Sequence, residues 1–335
     1  MGASIKDVAE RAGVSPRTVS NVVNDFPLVA PQTRARVLRV IEELDYRPNA
    51  AARSLRGGRS GLVGLVIPEI ASPYFGELAD LLTRGADERS WTLLVDQTNG
   101  DRDREERLMH GMPRQVVDGL IVSPWALSPG ELQRRPDAPP LVLLGEQDAD
   151  GLFDHVAIDN VAAAEEATAH LVATGRRRIA AIGPQPHLAN GTAQQRLTGY
   201  RRALRNADLP TVEVPVTALH RRDGADAMRH LLDAGHRPDA VFCFTDQLAL
   251  GALRAAADRG LGVPRDLAVV GFDDIEEGRF SVPSLTTVAP DKAAIAAHAL
   301  DCLARRLTRA GASEPARRVT AGHRLTVRES SARVT

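Results

Sequence analysis

The chain has 335 residues, of which 43% are hydrophobic and 25% charged, with a formal net charge of −1. This length predicts two or three domains, and the composition excludes collagen, coiled-coil and disordered chains. A uniformly basic polyanion binder is also excluded, yet residues 1–60 carry ten Lys and Arg against six Asp and Glu, which favours a small polyanion-binding module on a neutral or acidic body.

The first 44 residues are predicted to form three short helices. Ser4 and Asp7 have the spacing of a capping box, Gly13 is suited to end the first helix, and Ser15 and Pro16 begin the second. A third helix is expected over residues 31–44. Apolar side chains recur at helical spacing: Ile5, Val8, Ala9, Ala12, Val19, Val22, Val23, Val37, Val40, Ile41 and Leu44. The pattern predicts a small all-α helix-turn-helix headpiece.

The second helix has a polar face opposite its valines, formed by Arg17, Ser20, Asn21 and Asn24. Arginine can bind the guanine edge through two hydrogen bonds, and asparagine the adenine edge, so this face suits reading of base pairs. The alternative is that it is the solvated face of an ordinary helical bundle.

Residues 47–59 are predicted to be a hinge. The segment from Asn49 to Arg56 favours a helix of about two turns, which is marginal in isolation and therefore a candidate for folding on binding. Between Tyr46 and Ser60 there are four arginines and no acid. The alternative is an alanine-rich linker whose Leu55 packs against its own protein.

From Gly61 onward, short apolar runs alternate with amphipathic helices. The predicted strands are residues 62–67, 91–95, 119–122, 141–144, 179–182, 240–244 and 267–270. The predicted helices are residues 76–89, 160–174, 193–206, 223–234, 246–259 and 291–309. This alternation predicts an α/β, doubly wound parallel-sheet fold, and its length favours a two-lobed core.

Polar and aromatic residues follow the predicted strands, where ligands bind in open α/β sheets. They are Tyr74, Phe75, Ser123, Trp125, Arg196, Thr245, Asp246 and Asp273. Rings for stacking and groups for hydrogen bonding together suit a small polar or polyhydroxylated ligand. The alternatives are that Asp273 or Asp274 caps a turn and that Tyr74 or Phe75 belongs to the core.

The sequence contains no dinucleotide or phosphate-binding glycine motif, no nucleophile elbow and no zinc-protease motif, so we expect no enzyme. His220, His230 and His236 are too widely spaced for a metal motif, and neither metal nor cofactor is expected. Cys243 and Cys302 lie in apolar stretches, as buried thiols do. The N-terminus has no apolar leader and the chain no 18-residue apolar run, which predicts a cytoplasmic protein without membrane contact.

Residues 5–24, Ile-Lys-Asp-Val-Ala-Glu-Arg-Ala-Gly-Val-Ser-Pro-Arg-Thr-Val-Ser-Asn-Val-Val-Asn, closely resemble the headpiece of the lac and galactose repressor family. The resemblance continues through residues 33–34, 44–49 and 52–55, and it extends to the family's periplasmic-binding-protein-like core at residues 194–200, 245–251, 269–274 and 283–287. Two departures are Asn21, where the family usually has arginine, and Ala30, where it usually caps the third helix with serine.

The resemblance implies a set of DNA-binding residues: Ser15, Pro16, Arg17, Thr18, Ser20, Asn21, Asn24, Thr33, Tyr46, Asn49, Ala52 and Leu55. Leu55 would act as an apolar wedge in the minor groove. Arg196 and Asp273 match the family's ligand-binding pair and Phe75 its stacking aromatic residue. His220 and Thr245 fall at further pocket positions, although His220 can equally be a surface or core residue.

The resemblance also implies the organisation and the function. We expect a headpiece at 1–46, a hinge at 47–59, one lobe at 60–158 plus 288–318, and another at 159–287 plus 319–335. The expected protein is a ligand-responsive repressor of sugar uptake or catabolism genes that binds a palindromic operator as a homodimer, with a sugar as effector. No apolar heptads follow Val327, which favours a dimer over a tetramer. The alternatives are a nucleobase or another non-sugar effector, or a sugar-binding module without regulatory coupling.

Overall fold

The computed structural model of the protein describes residues 3–23, 26–46, 59–111, 116–133, 138–145, 151–186 and 191–332. The chain divides into two compact units, Met1–Gly61 and Leu62–Thr335. Asn24 and the hinge residues Asn49, Ala52 and Leu55 lie outside the described residues. None of the described helices is long and apolar enough to cross a membrane.

The first unit contains the three expected helices, α1 (Ile5–Ala12), α2 (Pro16–Val23) and α3 (Pro31–Glu43). The capping box is confirmed, since the Asp7 amide donates to Ser4 Oγ at 3.4 Å and the Ser4 amide donates to Asp7 Oδ2 at 2.7 Å. Gly13 ends α1 with a φ of 62°. The buried core is formed by Val8, Ala9, Ala12, Val19, Val22, Val37 and Val40.

The second unit begins with a six-stranded parallel sheet. Its strands are β1 (Leu62–Ile67), β2 (Thr92–Gln97), β3 (Gly119–Val122), β4 (Leu141–Leu144), β5 (Asp154–Ile158) and β11 (Arg318–Ala321), in the order β11-β5-β4-β3-β1-β2. The accompanying helices are α4 (Pro73–Glu88), α5 (Arg102–Gly111), the single turn α6 (Pro129–Leu132) and α12 (Lys292–Leu307). Leu65 packs in one cluster with Leu78 of α4, and Val66 in another with Met109 of α5, so both faces of the sheet are covered.

A second six-stranded sheet has the order β12-β10-β9-β8-β6-β7 and is parallel except for β12. Its strands are β6 (Ile179–Ile182), β7 (Val212–Val214), β8 (Ala240–Cys243), β9 (Ala268–Phe272), β10 (Thr286–Pro290) and β12 (His323–Thr326). The helices are α7 (Asn160–Ala173), α8 (Gly191–Asn206), α9 (Arg221–Asp233), α10 (Asp246–Asp258) and α11 (Glu276–Phe280). Short 3-10 helices occur at Gly311–Ser313 and Glu329–Ser331.

The predicted fold class is therefore confirmed, with a helical unit followed by a two-sheet α/β unit. The chain passes between the two sheets after β5, after β10 and after β11. The expected lobe limits at residues 288 and 318 fall within β10 and at the first residue of β11. The sequence prediction omitted strands β5, β7, β10, β11 and β12.

Helices α9 and α10 pack very closely through two glycines. A Cβ atom on Gly251 would lie 1.9 Å from the carbonyl oxygen of Arg221, and one on Gly224 would lie 2.1 Å from that of Leu248. Only glycine allows this approach without displacing a backbone. The contact fixes the first turn of α10, which follows β8 at the carboxyl edge of the second sheet.

Candidate functional site

The carboxyl ends of both sheets border one cleft, which encloses about 980 Å³ of space including its part open to solvent. Seven of the residues expected at the ligand site line it together: Tyr74, Phe75, Ser123, Trp125, Arg196, Thr245 and Asp273. The first sheet supplies the aromatic side chains, and the second supplies the charged pair. The loops after parallel strands bring together residues that are up to 199 positions apart in the sequence.

Arg196 of α8 is held by several contacts of its guanidinium group. Nε donates to Asn160 Oδ1 at 2.7 Å, and Nη1 donates to the carbonyl oxygen of Phe244. The guanidinium carbon lies 3.5 Å from the centroid of the Phe272 ring, a cation–π contact. These contacts orient Nη2 toward Asp273, whose Oδ1 is 3.7 Å away.

Asp273 follows β9 and has a φ of 115°, a left-handed backbone that few residues other than glycine adopt. Its amide donates to the carbonyl oxygen of Val288 at 2.8 Å, and its own carbonyl accepts from Lys292 Nζ at 2.8 Å. The backbone is therefore fixed from two sides, and the carboxylate is presented to the cleft beside Arg196.

An aromatic wall faces this pair from the first sheet. The Phe75 ring contacts Tyr74 edge-on at 5.2 Å between centroids, and it contacts Trp125 in the same way at 6.5 Å. Phe75 is buried at the start of α4, while Tyr74 and Trp125 are half-buried. Phe75 is buried, as the core interpretation expected, and its ring also lines the cleft, so its stacking on a ligand stays a prediction.

Asp246 and His220 are not among the lining residues. Asp246 is wholly buried, and it accepts from the Ile275 amide at 2.9 Å and from Thr287 Oγ1 at 2.6 Å. Burial, followed by the charge of Asp273, raises the pKa of Asp246 well above its usual range. His220 is exposed, with Nε2 2.9 Å from Glu69 Oε2, so it links the loop after β1 to the start of α9.

The neighbouring carboxylate, Asp274, does not cap the following helix, which has Ile275 at its N-cap. Asp274 instead binds Arg328, and Arg279 at 3.0 Å. Burial acts to raise the pKa of Asp274, but the hydrogen bond and charge of Arg328 outweigh it, so the pKa lies below its usual range. The pairing ties the loop after β9 to the C-terminal segment.

Four polar residues of the cleft were not among the expected ligand-binding residues: Glu69, Ser72, Thr192 and Gln247. Glu69 and Ser72 follow β1 by a few residues, and Gln247 lies in the first turn of α10. The rule that selected Thr245 therefore also indicates these positions. Leu219 and Ile275 add aliphatic surface from the second sheet.

In the helical unit, α2 carries Arg17, Ser20 and Asn21 of the expected polar face away from its buried valines. Ser15 Oγ accepts from the Thr18 amide at 3.1 Å, and Arg17 is exposed at the start of the helix. Ser20 and Asn21 are half-buried on the side opposite the buried valines. Thr33 lies half-buried in the first turn of α3, and Tyr46 packs against the headpiece core.

Comparison with known proteins agrees with this architecture. Residues 4–49 match the family model for bacterial regulatory proteins of the lacI family, and residues 168–331 match a periplasmic binding protein-like domain. The chain is 36% identical to the ribose operon repressor of Escherichia coli K12 over 311 residues, which are 91% of this chain and 93% of that protein. It is 35% identical to the transcriptional repressor PurR of Yersinia pestis, over 87% of this chain and 86% of that protein.

Among solved structures, the lac repressor dimer bound to operator and the anti-inducer ONPF superposes with a TM-score of 0.86 at 27% identity, covering 99% of both chains. The relatives are repressors, and the two matched regions correspond to the helical unit and to most of the second-sheet part of the cleft. The chain belongs to the LacI family of bacterial transcriptional regulators, with a DNA-binding headpiece and a ligand-binding core.

Proposed function

We propose that the protein represses genes of sugar uptake or catabolism in the cytoplasm, and that its effector is a sugar bound in the cleft by Arg196 and Asp273. The observation that carries this proposal is the buried guanidinium–carboxylate pair opposite the aromatic wall. A guanidinium donates hydrogen bonds and a carboxylate accepts them, so adjacent hydroxyls of one ring satisfy both groups. The apolar face of the same ring stacks on an aromatic side chain.

The net charge of the Arg196–Asp273 pair is zero, which suits an uncharged ligand. Ser123, Thr192, Thr245 and Gln247 add hydroxyls and an amide that both donate and accept, while Glu69, a further carboxylate of the cleft, lies 2.9 Å from His220 Nε2. The 36% identical relative is named for the ribose operon, which supports a monosaccharide as the effector of this protein.

A nucleobase is the second candidate, because one relative is a PurR repressor. A flat base binds best between two ring faces. Among the described residues, the aromatic side chains of the cleft all come from the first-sheet side, whereas Leu219 and Ile275 oppose them. A base would therefore stack on one face only, and the asymmetry favours a sugar.

The mechanism we propose uses a homodimer on a palindromic operator, with limits of 1–46 for the headpiece and 47–59 for the hinge. Apolar side chains exposed on the core support dimerisation: Leu94 and Val95 on edge strand β2, and Phe280 and Val282, which are 77% and 95% exposed. A sugar that changes the relative orientation of the two lobes would change the separation of the hinge segments, where Leu55 is the proposed wedge. A coupling of about 1 to 3 kcal/mol is sufficient for such a response.

A thermal-shift panel tests the class of effector. D-Ribose, D-glucose, D-galactose and D-fructose are compared with hypoxanthine, guanine and adenine at equal concentration. A sugar present at 100 times its dissociation constant stabilises the native state by about 2.7 kcal/mol, which raises the melting temperature. We expect a sugar to raise the melting temperature and Asp273→Asn to reduce that rise at the same sugar concentration. A rise with nucleobases alone would contradict the sugar proposal.

A further inference from the structure

Glu105 lies in the first turn of α5 and is wholly buried. Its carboxylate accepts hydrogen bonds from three consecutive amides of the loop after β3. Oε1 accepts from the Trp125 amide at 2.8 Å, and Oε2 accepts from the amides of Ala126 at 3.0 Å and Leu127 at 2.8 Å. Glu105 does not line the cleft, whereas Trp125 does.

Hydrogen bonds to an ionised acceptor are shorter and stronger than those between neutral groups. Three such bonds to successive amides fix the backbone conformation from Trp125 to Leu127. They therefore fix the direction in which the Trp125 side chain points. Thr98 Oγ1 donates to Glu105 Oε1 at 3.4 Å, which holds the carboxylate from the end of β2.

A second contact from the same helix supports the loop. Arg102 donates to the carbonyl oxygen of Ala126 at 3.1 Å and pairs with Glu131. Glu131 in turn accepts from the amide of Ser128 at 2.9 Å. The first turn of α5 thus binds both the N–H and the C=O groups of the loop that carries Trp125.

The indole ring has little room to move in this position. A Cβ atom on Gly100 would lie 3.3 Å from Trp125 Cε3, so the ring packs directly against the backbone at Gly100. Phe75 contacts the ring edge-on from α4. Backbone and ring contacts together define one orientation of the indole group toward the cleft.

We propose that Glu105 is a positioning residue of the effector site, because its carboxylate fixes residues 125–127 so that Trp125 forms a rigid wall for the ligand ring. This inference rests on the proposed sugar function only for the effect on ligand affinity; the fixed orientation of Trp125 does not depend on it. Because the loop is already ordered, ligand binding carries no entropic cost for ordering it. Loss of the carboxylate therefore lowers affinity without removing any group that touches the ligand.

The test uses the full-length chain with Trp91→Phe, so that Trp125 is the single tryptophan. Glu105→Gln exchanges one carboxylate oxygen for an NH2 group, which opposes a backbone N–H. We expect the acrylamide quenching constant of Trp125 to rise at least twofold and amides 125–127 to exchange hydrogen at least tenfold faster. We further expect the dissociation constant of D-ribose to rise about tenfold, with operator affinity in the absence of sugar unchanged within twofold.

Glu106→Gln is the matched control, because it removes the same charge from an exposed neighbouring position of α5; it should change none of these values. Unchanged quenching and exchange in folded Glu105→Gln would overturn the proposal, as would faster exchange with unchanged ribose affinity. If Glu105→Gln fails to fold, Glu105→Asp decides, because it keeps the charge but shortens the side chain and withdraws the carboxylate from the amides of residues 125–127; unaltered quenching and exchange there overturn the proposal. Failure of D-ribose to bind the unmutated protein would count against the ribose assignment, and the quenching result would still decide the role of Glu105.

Discussion

Arg196 Nη2 and Asp273 Oδ1 lie 3.7 Å apart, and both side chains are about nine-tenths buried. This separation exceeds a hydrogen bond, so the interaction between the two groups is electrostatic. A ring hydroxyl that accepts from Arg196 and donates to Asp273 would bridge them. Because the charges of Arg196 and Asp273 are opposite, the pair adds no net charge to the cleft.

Asp273→Asn should weaken sugar binding while leaving operator binding intact. Asparagine tolerates the left-handed backbone at this position, but it loses a charged acceptor. A hydrogen bond to a charged group contributes about 1.5 to 3 kcal/mol, so we expect affinity to fall by about 10- to 150-fold. Calorimetric titration with D-ribose measures this change. Asp266→Asn, at an exposed pair with Arg265, is the control; equal losses in both variants would contradict a specific role for Asp273.

Asp246→Asn should stabilise the protein increasingly as the pH rises. Burial and the nearby charge of Asp273 raise the pKa of Asp246, so the folded protein holds this proton more tightly than the unfolded chain. Stability from this group is therefore present at low pH, and it is lost as pH rises from about 4 through the folded-state pKa.

Asparagine has no proton to lose, and its amide can accept from Ile275 while donating to Thr287. Urea unfolding of both proteins between pH 4 and pH 8 checks the prediction. The difference in unfolding free energy should be small at pH 4 and largest at pH 8. A difference independent of pH, or one that falls as the pH rises, would contradict a raised pKa of Asp246 in the folded protein.

Gly251→Ala should destabilise the core because its Cβ would overlap the carbonyl oxygen of Arg221. Overpacking of this kind costs about 1 to 3 kcal/mol and would separate α9 from α10. Gly130→Ala is the comparison, since nothing lies within 4 Å of a Cβ there. Denaturant unfolding should show a lower midpoint for Gly251→Ala alone. Equal midpoints would mean that the two helices adjust without cost.

Ala30→Ser should stabilise the headpiece. Ala30 is the N-cap of α3 and offers no side-chain oxygen to the free amides of the first turn, whereas Ser4 does so in α1. A serine cap contributes about 1 kcal/mol, so amide protection in α3 should increase by about fivefold. Ser4→Ala should lower protection in α1 by a similar factor. Hydrogen exchange by mass spectrometry follows both helices in the intact protein, and an Ala30→Ser variant without added protection would refute the capping argument.

The strands that the sequence predicted are those whose signal is local. β1, β3 and β8 are continuous apolar runs, and the structure buries nearly all of their residues. β5 begins with Asp154, whose carboxylate is buried by Arg305 and Arg306, about 150 residues further along the chain. No local pattern shows that such an acid will be neutralised. Edge strands β7, β11 and β12 are short and partly exposed, so they lack the apolar signal.

The residues of the site also divide into those with a local sequence signal and those without one. Residues directly after strands, such as Phe75 and Trp125, were predictable because parallel strands present their carboxyl ends at one edge. Asp246 was expected in the cleft since it follows Thr245. In the structure the first turn of α10 directs its carboxylate into buried hydrogen bonds with Ile275 and Thr287 instead. Glu105 gave no sequence signal, because its partners are backbone amides and any loop sequence can supply them.

Coupling between the cleft and the headpiece is measured by the affinity for operator DNA, from fluorescence anisotropy with and without a saturating sugar from the thermal-shift panel. We expect sugar to change operator affinity by about 5- to 150-fold, and operator to change sugar affinity by the same factor, as linkage requires. Asp273→Asn should retain operator binding, and its response should require a sugar concentration about 10- to 150-fold higher. A protein that binds the sugar in the cleft but whose operator affinity does not change would contradict the account, because the core would then bind the sugar without regulating the headpiece.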